Sequence, residues 1–227
     1  MPIRSSRCNK GEDMNFSRIF RAPGAVLTAV TAALAILAAA SAPALAEDAG
    51  AKAGETITLP QPDKSGGMPL MQALALRHST RSFTTDPVSQ QDLSNLLWAV
   101  WGINREDGRH TAPTAKNKQN LAVYAARPDG VWRYNPDGHT LERHLDKDIR
   151  ATLSDAPLIL LYAAPADNPD SGFHIGSLYQ NAGLYCASAG LGSVVRVTGA
   201  DEADKIMALK DGYKIMIVQP VGHPKEN

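Results

Sequence analysis

Apolar residues recur at helical spacing in four stretches of the chain after its first third. These stretches predict helices over 68–78, 89–101, 173–189 and 201–209. Ser89-x-x-Asp92 resembles a capping box at the start of the second helix, and Gly190 stands where it would end the third. The 173–189 helix is apolar on nearly all sides, so we expect it at the centre of the fold.

Runs rich in β-branched and aromatic residues alternate with these helices. They predict strands over 121–126, 131–134, 140–145, 157–163, 193–197 and 214–221. Asn135-Pro136-Asp137-Gly138 is a hairpin turn signal between the second and third of them. Residues 104–119 are polar without a period, which is typical of a functional loop. The order predicts one α+β domain, a mixed central sheet covered by helices.

The first 46 residues form a segment of different composition. A basic start precedes an uncharged run over 24–45, which ends in Ala44-x-Ala46. This pattern predicts a secretory signal peptide that is cleaved after Ala46, so that no membrane segment remains. The alternative is an uncleaved membrane anchor, because the run is long enough to span a bilayer. Cleavage leaves 181 residues: a flexible or extended lead-in over 47–67, then the domain over 68–227.

Charge and cysteine content exclude several functions for residues 47–227. They hold 18 of the 23 basic and 21 of the 23 acidic side chains, without a basic helix, so no nucleic-acid partner is expected. Cys8 lies in the leader, and Cys186 alone permits neither an internal disulfide nor a thiolate metal cluster. Its apolar helix favours a buried thiol over a nucleophile. We assign no metal, since the histidines lack helical pairing, and no hydrolase or P-loop motif occurs.

The stretch Arg77-His78-Ser79-Thr80-Arg81-Ser82-Phe83 carries the first candidate chemistry. Its two guanidiniums and its hydroxyls suit the oxygens of a phosphate. Alternation would place Arg77, Ser79 and Arg81 on one side of an extended segment. The alternative is a solvated basic helix end.

Two further stretches contain hydrogen-bonding groups among small residues. In the loop over 111–120, Asn117 and Gln119 can each donate to and accept from the edge of a flat heterocycle; the alternative is a plain polar loop. Gln180-Asn181 interrupts an apolar helix, where buried amides either bond backbone or reach a ligand. The turn Gly190-Leu191-Gly192 feeds a strand whose amides could face that ligand.

In order and spacing these stretches resemble the nitroreductase-like FMN-dependent oxidoreductase family. Leu96-Leu97-Trp98-Ala99, Gly102-Ile103-Asn104-Arg105 and Val221-Gly222-His223-Pro224 add to the likeness, which covers nearly all of 68–227. The chain looks most like the branch of the azoline-forming peptide dehydrogenases. A Lys–Tyr pair of that branch is not identifiable, and Arg196-Val197-Thr198-Gly199 is atypical.

The resemblance implies a dimeric FMN-binding fold and a set of cofactor contacts. The contacts are Arg77, His78, Ser79, Arg81, Thr114, Ala115, Asn117, Gln119, Gly190, Gly192, Arg196 and Lys225. The first four would hold the phosphate and ribityl chain, Asn117 the isoalloxazine ring, and Lys225 the phosphate. A backbone amide near Arg196 and Val197 would face flavin N5. The flavin would perform the chemistry, so the resemblance implies neither a catalytic side chain nor a metal.

The implied function is two-electron ping-pong transfer through flavin N5 to small nitroaromatic or quinone-like acceptors. NAD(P)H is a possible donor, although export to the periplasm or beyond favours another. The resemblance also implies a homodimer with FMN at its interface, partly formed by the 89–101 and 173–189 helices. The alternatives are an exported non-enzymatic flavin-binding module and a peptide-azoline-type dehydrogenase.

Overall fold

The computed structural model describes residues 54–225, and their elements form an α+β fold as predicted. In chain order they are β1 (Thr56–Thr58), α1 (Leu70–Leu76), α2 (Gln90–Trp101), β2 (Ala122–Arg127), β3 (Gly130–Asn135), β4 (Thr140–Leu145), α3 (Arg150–Leu153), β5 (Leu158–Pro165), α4 (Ser171–Ser188), β6 (Gly192–Ser193), α5 (Ala200–Met207) and β7 (Tyr213–Gly222). The expected signal peptide over 1–46 lies outside the described residues. Within residues 54–225 no helix is long and apolar enough to cross a bilayer.

The strands form one sheet in the order β1-β4-β3-β2-β5-β7-β6. Neighbouring strands are antiparallel, and a parallel bridge from Ser79 to Ser193 makes the sheet mixed. Alternate residues of the central strand β5 enter two cores. Leu158, Leu160 and Tyr162 pack with α2 and α4, whereas Ile159, Leu161 and Ala163 pack with α3 and α5. Helices on both faces explain why β5 is apolar throughout.

The helix ends follow the local sequence signals. The Ser89 hydroxyl oxygen accepts the Asp92 N–H at 3.0 Å, which is the serine half of the predicted capping box. The Asp92 carboxylate accepts from the Ser89 hydroxyl at 2.6 Å. Helix α4 ends with Gly190 in the left-handed region at φ +71°. The Leu191 N–H donates to the Cys186 carbonyl at 2.8 Å, which completes a Schellman motif.

Several expectations about individual elements need correction. The lead-in, described from residue 54, is extended and attached to the fold: β1 pairs with β4, and Leu59 is buried. Both β1 and the one-turn helix α3 were missed. The strand expected over 193–197 is limited to Gly192–Ser193 plus a bridge from Arg196 to Val218. The apolar face of α2 is buried within the chain, so α2 does not supply the free surface expected for a dimer.

Candidate functional site

The site is built around the segment 77–83, which we call the clasp. It begins where α1 ends at Arg77 and continues beside β6, where the Thr80 N–H donates to the Ser193 carbonyl at 3.0 Å. Thr80 and Phe83 point inward and are buried. The side chains that remain exposed are Arg77, His78, Ser79, Arg81 and Ser82. The fold therefore presents the phosphate-binding candidates on the surface of a fixed backbone.

Two glycines let the clasp approach its neighbours closely. A Cβ on Gly192 would stand 2.6 Å from Thr80 Cβ, so a larger residue in β6 would push the clasp away. A Cβ on Gly183 would lie 3.5 Å from Arg77 Cδ, so the stem of Arg77 lies over α4 at this residue. Gly192 therefore allows the clasp to lie close to β6, whereas the sequence indicated only that this glycine belongs to a turn.

The clasp arginines lack the carboxylate partners that four other arginines have. Arg109, Arg127, Arg143 and Arg150 each form an ion pair with an aspartate or glutamate. Within residues 54–225, neither Arg77 nor Arg81 has a carboxylate partner. Their guanidiniums are therefore available for an external anion.

Lys225 reaches the clasp from the other end of the chain. Its backbone N–H donates to the Ser82 carbonyl at 3.1 Å, and the Thr84 N–H donates to the His223 carbonyl at 2.9 Å. The segment after β7 therefore runs antiparallel to the clasp. A further cation stands beside Arg81, where the sequence placed a C-terminal phosphate contact.

The clasp borders two cavities. Arg77 and His78 line one of about 180 Å³ together with Gly190 and Leu191. Arg81 and Arg196 line a second of about 430 Å³, whose remaining wall includes the segment 194–198. The first is small and bordered by the basic helix end, whereas the second is larger and has an apolar wall of three valines. By size and lining, the first suits a small charged group and the second a broader apolar body.

Of the two backbone amides expected near that body, only that of Val197 is left without an acceptor among the described residues. The Arg196 N–H donates to the Val218 carbonyl at 2.9 Å, so it is already engaged in the sheet. Its guanidinium Nη1 donates to the Leu153 carbonyl at 3.0 Å. The Val197 N–H has no acceptor among the described residues, and Val197 lines the larger cavity.

A buried polar chain supports the clasp from beneath and was missed by sequence reasoning. The Tyr162 hydroxyl donates to Gln219 Oε1 at 2.5 Å, and Gln219 Nε2 donates to Ser193 Oγ at 3.2 Å. Gln219 is fully buried in the apolar strand β7, and its polarity there was the available signal. Cys186 lies nearby, and burial raises the pKa of its thiol to about 12. This confirms the prediction of an inert buried cysteine.

The loop over 111–120 is held away from the clasp. The Ala115 N–H donates to His174 Nε2, near the start of α4, at 2.8 Å. Gln119 Nε2 donates to Asn117 Oδ1 at 3.0 Å, and the Gln119 N–H donates to Thr114 Oγ1 at 3.0 Å. The loop is thus internally bonded and anchored to one helix.

One chain assembles only part of the expected site. Arg77 packs at Gly183 and Ala115 at His174, nine residues apart, which is about 13 Å along α4. Thr114, Ala115 and Asn117 line neither clasp cavity, and Gln119 lines a separate one with His110. The other eight expected contacts lie around the clasp. Of the helix amides, Asn181 bonds the Ala99 carbonyl at 3.0 Å, and Gln180 is exposed.

Comparison with known proteins identifies the family of this chain. The model of the Nitroreductase family matches residues 74–223. A nitroreductase of Methanocaldococcus jannaschii is 28% identical over 200 residues, which cover 76% of this chain and all of that protein. The crystal structure of a Ralstonia eutropha nitroreductase is 38% identical, with a TM-score of 0.70 over 76% of this chain and 90% of the other. The FMN-bound Bacteroides fragilis nitroreductase shares the fold at 13% identity, with a TM-score of 0.52 over 70% and 90% of the two chains. This chain therefore belongs to the nitroreductase family of oxidoreductases.

Proposed function

We propose that this enzyme binds FMN and passes electron pairs to small electron-poor acceptors of the nitroaromatic or quinone class. The observation that carries the proposal is the clasp itself. Its two arginines are exposed and lack carboxylate partners within residues 54–225. Arg77 lines the smaller clasp cavity and Arg81 lines the larger one. The dianionic phosphate of FMN would supply the negative partner that these guanidiniums lack.

The residues around the clasp fit the parts of FMN. Arg77, His78 and Ser79 would hold the phosphate and ribityl chain, assisted by Lys225, whose backbone bonds Ser82. The larger cavity of about 430 Å³, with its wall of valines, would hold the isoalloxazine ring. The ring supplies a carrier of electron pairs at its N5 atom. The unbonded Val197 N–H would donate to this edge of the ring, and Arg196 would stabilise negative charge on the ring. Arg81 would join Arg77 in holding the phosphate and ribityl chain.

The proposal includes a second copy of the chain. The Asn117 loop does not line the clasp cavities of its own protomer, and a partner could bring its loop to the ring. Helix α1 offers an apolar surface for such contact, since Leu70 and Met71 are 62% and 75% exposed. We infer a homodimer with the flavin at the interface, and α1 replaces α2 as the expected contact helix.

We also propose that residues 1–46 direct export and that the mature enzyme begins at Glu47. Since NAD(P)H is not expected outside the cytoplasm, the physiological donor there would not be a nicotinamide. The likeness to azoline-forming dehydrogenases does not extend the proposal to that reaction, because no Lys–Tyr pair is identifiable.

The absorption spectrum of the purified mature protein tests the cofactor. We expect a yellow protein that releases one FMN per chain, identified by mass. Arg77→Gln and Arg81→Gln should each weaken FMN binding about tenfold or more, since a charge-assisted contact contributes about 1.5–3 kcal/mol. Arg133→Gln is the matched control, because Arg133 is exposed on β3 and lines neither clasp cavity. Colourless protein that takes up no FMN would refute the proposal.

Reduction and reoxidation of the loaded enzyme test the reaction. Dithionite should bleach the flavin, and adding a nitroaromatic or a quinone should reoxidise it and restore its colour. NAD(P)H should be tested beside dithionite, because bleaching by dithionite alone would show that the flavin can be reduced but that a nicotinamide is not its donor. A flavin that binds tightly yet is not reoxidised by either acceptor would instead indicate a flavin-binding module.

A further inference from the structure

A separate cavity of about 660 Å³ lies where the segment before α2 passes over the end of β2 and the start of β5. The described residues that line it belong to neither clasp cavity. Phe83, Gly222 and Pro157 meet beside it: a Cβ on Gly222 would stand 2.7 Å from Pro157 and 3.2 Å from Phe83. This close layer marks the cavity as a compartment distinct from the proposed flavin site.

The cavity has rigid apolar walls. Pro87, Pro128 and Pro157 line it together with the buried side chains of Leu93 and Leu158. Proline fixes φ and has no N–H, so these walls are preformed and provide few backbone donors. A volume of this size suits a small organic molecule. Any polar anchor for that molecule must therefore come from side chains.

Two arginines line the cavity, and they differ in their free donors. Each guanidinium nitrogen of Arg150 already has an acceptor: Nε and Nη2 donate to the Asp148 carboxylate at 3.0 and 2.7 Å, and Nη1 donates to the Pro157 carbonyl at 2.9 Å. Arg127 makes one long ion pair, from Nε to Asp129 Oδ1 at 3.3 Å. Its Nη1 is buried and has no hydrogen-bond partner. Nη2 also forms no hydrogen bond among the described residues, and unlike Nη1 it is not shut off from solvent. Since Arg127 lines the cavity, Nη2 is the guanidinium nitrogen that an external acceptor there can reach.

We propose that this cavity binds a small monocarboxylic acid with an aromatic or branched aliphatic body, whose carboxylate pairs with Arg127. The body lies against the prolines and leucines, and the carboxylate accepts from Nη2 of the Arg127 guanidinium. Gln90 in the first turn of α2 also lines the cavity, and amides at a helix start favour an anion. Asp155 lines it as well and is exposed, so a second negative charge on the ligand is disfavoured.

Calorimetry and ligand-observed NMR with three matched probes test the chemistry. 3-Phenylpropanoate should bind the FMN-saturated protein at one site per chain with a Kd below about 1 mM. 3-Phenylpropanamide should bind at least about tenfold more weakly, since it keeps the body but lacks the charge. 2-Phenylethylamine should not bind. Equal binding of acid and amide, preferential binding of the amine, or no binding of the acid would overturn the proposal.

Substitutions locate the site. Arg127→Met keeps the aliphatic stem and should weaken 3-phenylpropanoate binding about tenfold or more, while the Kd for FMN stays unchanged. Arg133→Met, on the neighbouring strand β3, should change neither affinity. Loss of acid binding when FMN is added would place the probe in the flavin site and refute a separate compartment. Because FMN affinity is read on the same samples, failure here is distinguishable from failure of the flavin proposal.

Discussion

His174 is the residue on which the position of the Asn117 loop depends. It is 5% exposed, and its Nε2 accepts the Ala115 N–H at 2.8 Å. An acceptor at Nε2 requires a neutral ring with its proton on Nδ1, yet Nδ1 is buried without a partner. Asn120 Oδ1 and Asn168 Nδ2 are unsatisfied in the same way. Several polar atoms around the loop therefore lack hydrogen-bond partners, so the bond from the Ala115 N–H to His174 Nε2 is important for holding the loop in place.

We expect His174→Ala to release the loop. The change removes one hydrogen bond and leaves a cavity, so it should lower the free energy of unfolding by about 1–3 kcal/mol. FMN affinity should fall with it, while the visible spectrum of the bound flavin changes because the ring loses its loop. His174→Gln is the control, since its amide oxygen can accept from Ala115. If both variants bind FMN as the parent does, the loop does not contribute to the site.

At the scale of elements, two glycines distinguish a role in positioning the clasp from a mere effect on helix propensity. Gly192 in β6 faces Thr80, and a Cβ there would stand 2.6 Å from Thr80 Cβ. Gly172 in the first turn of α4 has nothing within 4 Å of an added Cβ. The same substitution therefore meets the Thr80 side chain at one position and open space at the other.

We expect Gly192→Ala to destabilise the protein by more than about 1 kcal/mol, because the clasp must shift to avoid overpacking. FMN affinity should drop in parallel, measured by fluorescence titration. Gly172→Ala should instead stabilise α4 by up to about 1 kcal/mol and leave FMN affinity unchanged. An intact FMN affinity in Gly192→Ala would show that the clasp does not need its close contact with β6.

The elements that the sequence predicted well are those with many local signals. Helices α2 and α4 carry periodicity and end signals, and β5 is long and apolar. The three-residue strand β1 and the one-turn helix α3 are too short for periodicity, and partners far along the chain stabilise them. The choice between Arg196 and Val197 depended on a bridge to Val218, which no local pattern encodes.

The same limit applies to the site. The charged and hydroxyl residues of the clasp were identifiable because their chemistry is local to one stretch. The distance between Arg77 and Ala115 depends on where each meets α4, which only the packed structure determines. Gln219 acts through Ser193, and a single buried amide in a strand gives no sign of its partner.

At the scale of the whole molecule, the buried His110 and the half-buried His139 give the free energy of unfolding a pH dependence. Desolvation lowers the pKa of both His110 and His139 below the usual value. His139 Nδ1 lies 2.9 Å from the Tyr134 hydroxyl, and Nε2 lies 3.0 Å from the Pro60 carbonyl. Nε2 also lies 2.7 Å from Ser94 Oγ, whose hydroxyl donates to the same Pro60 carbonyl. Nε2 therefore carries the ring proton and donates to this pair of oxygens, and the neutral ring is fully bonded. Unfolding therefore lets both histidines bind protons more readily.

We expect the free energy of unfolding to be constant above the unfolded pKa of about 6.5 and to fall as pH drops below it, because the unfolded chain then binds more protons. Thermal unfolding at pH 7.5 and 5.5 measures this. The lowered pKa values of Asp148 and Asp201 act below pH 3.8, outside this window. His78→Gln, at an exposed position, is the control and should keep the slope. A midpoint that is unchanged or higher at pH 5.5 would contradict the assignment.

The proposed dimer is the largest-scale consequence of the structure, and helix α1 is where it can be broken. Leu70, Met71 and Leu74 are 62%, 75% and 43% exposed on this seven-residue helix. An apolar surface of this kind is unfavourable in water and favours contact with a partner. We expect the mature chain to elute as a dimer in light-scattering chromatography and Met71→Glu to elute as a monomer, because burying an unpaired carboxylate is costly. The monomer should also lose FMN affinity, since each ring would lack the partner's Asn117 loop. Gln72→Glu adds the same charge at an exposed polar position of α1 and should remain dimeric. A monomeric parent that binds FMN with full affinity would show that one chain completes the site without a partner.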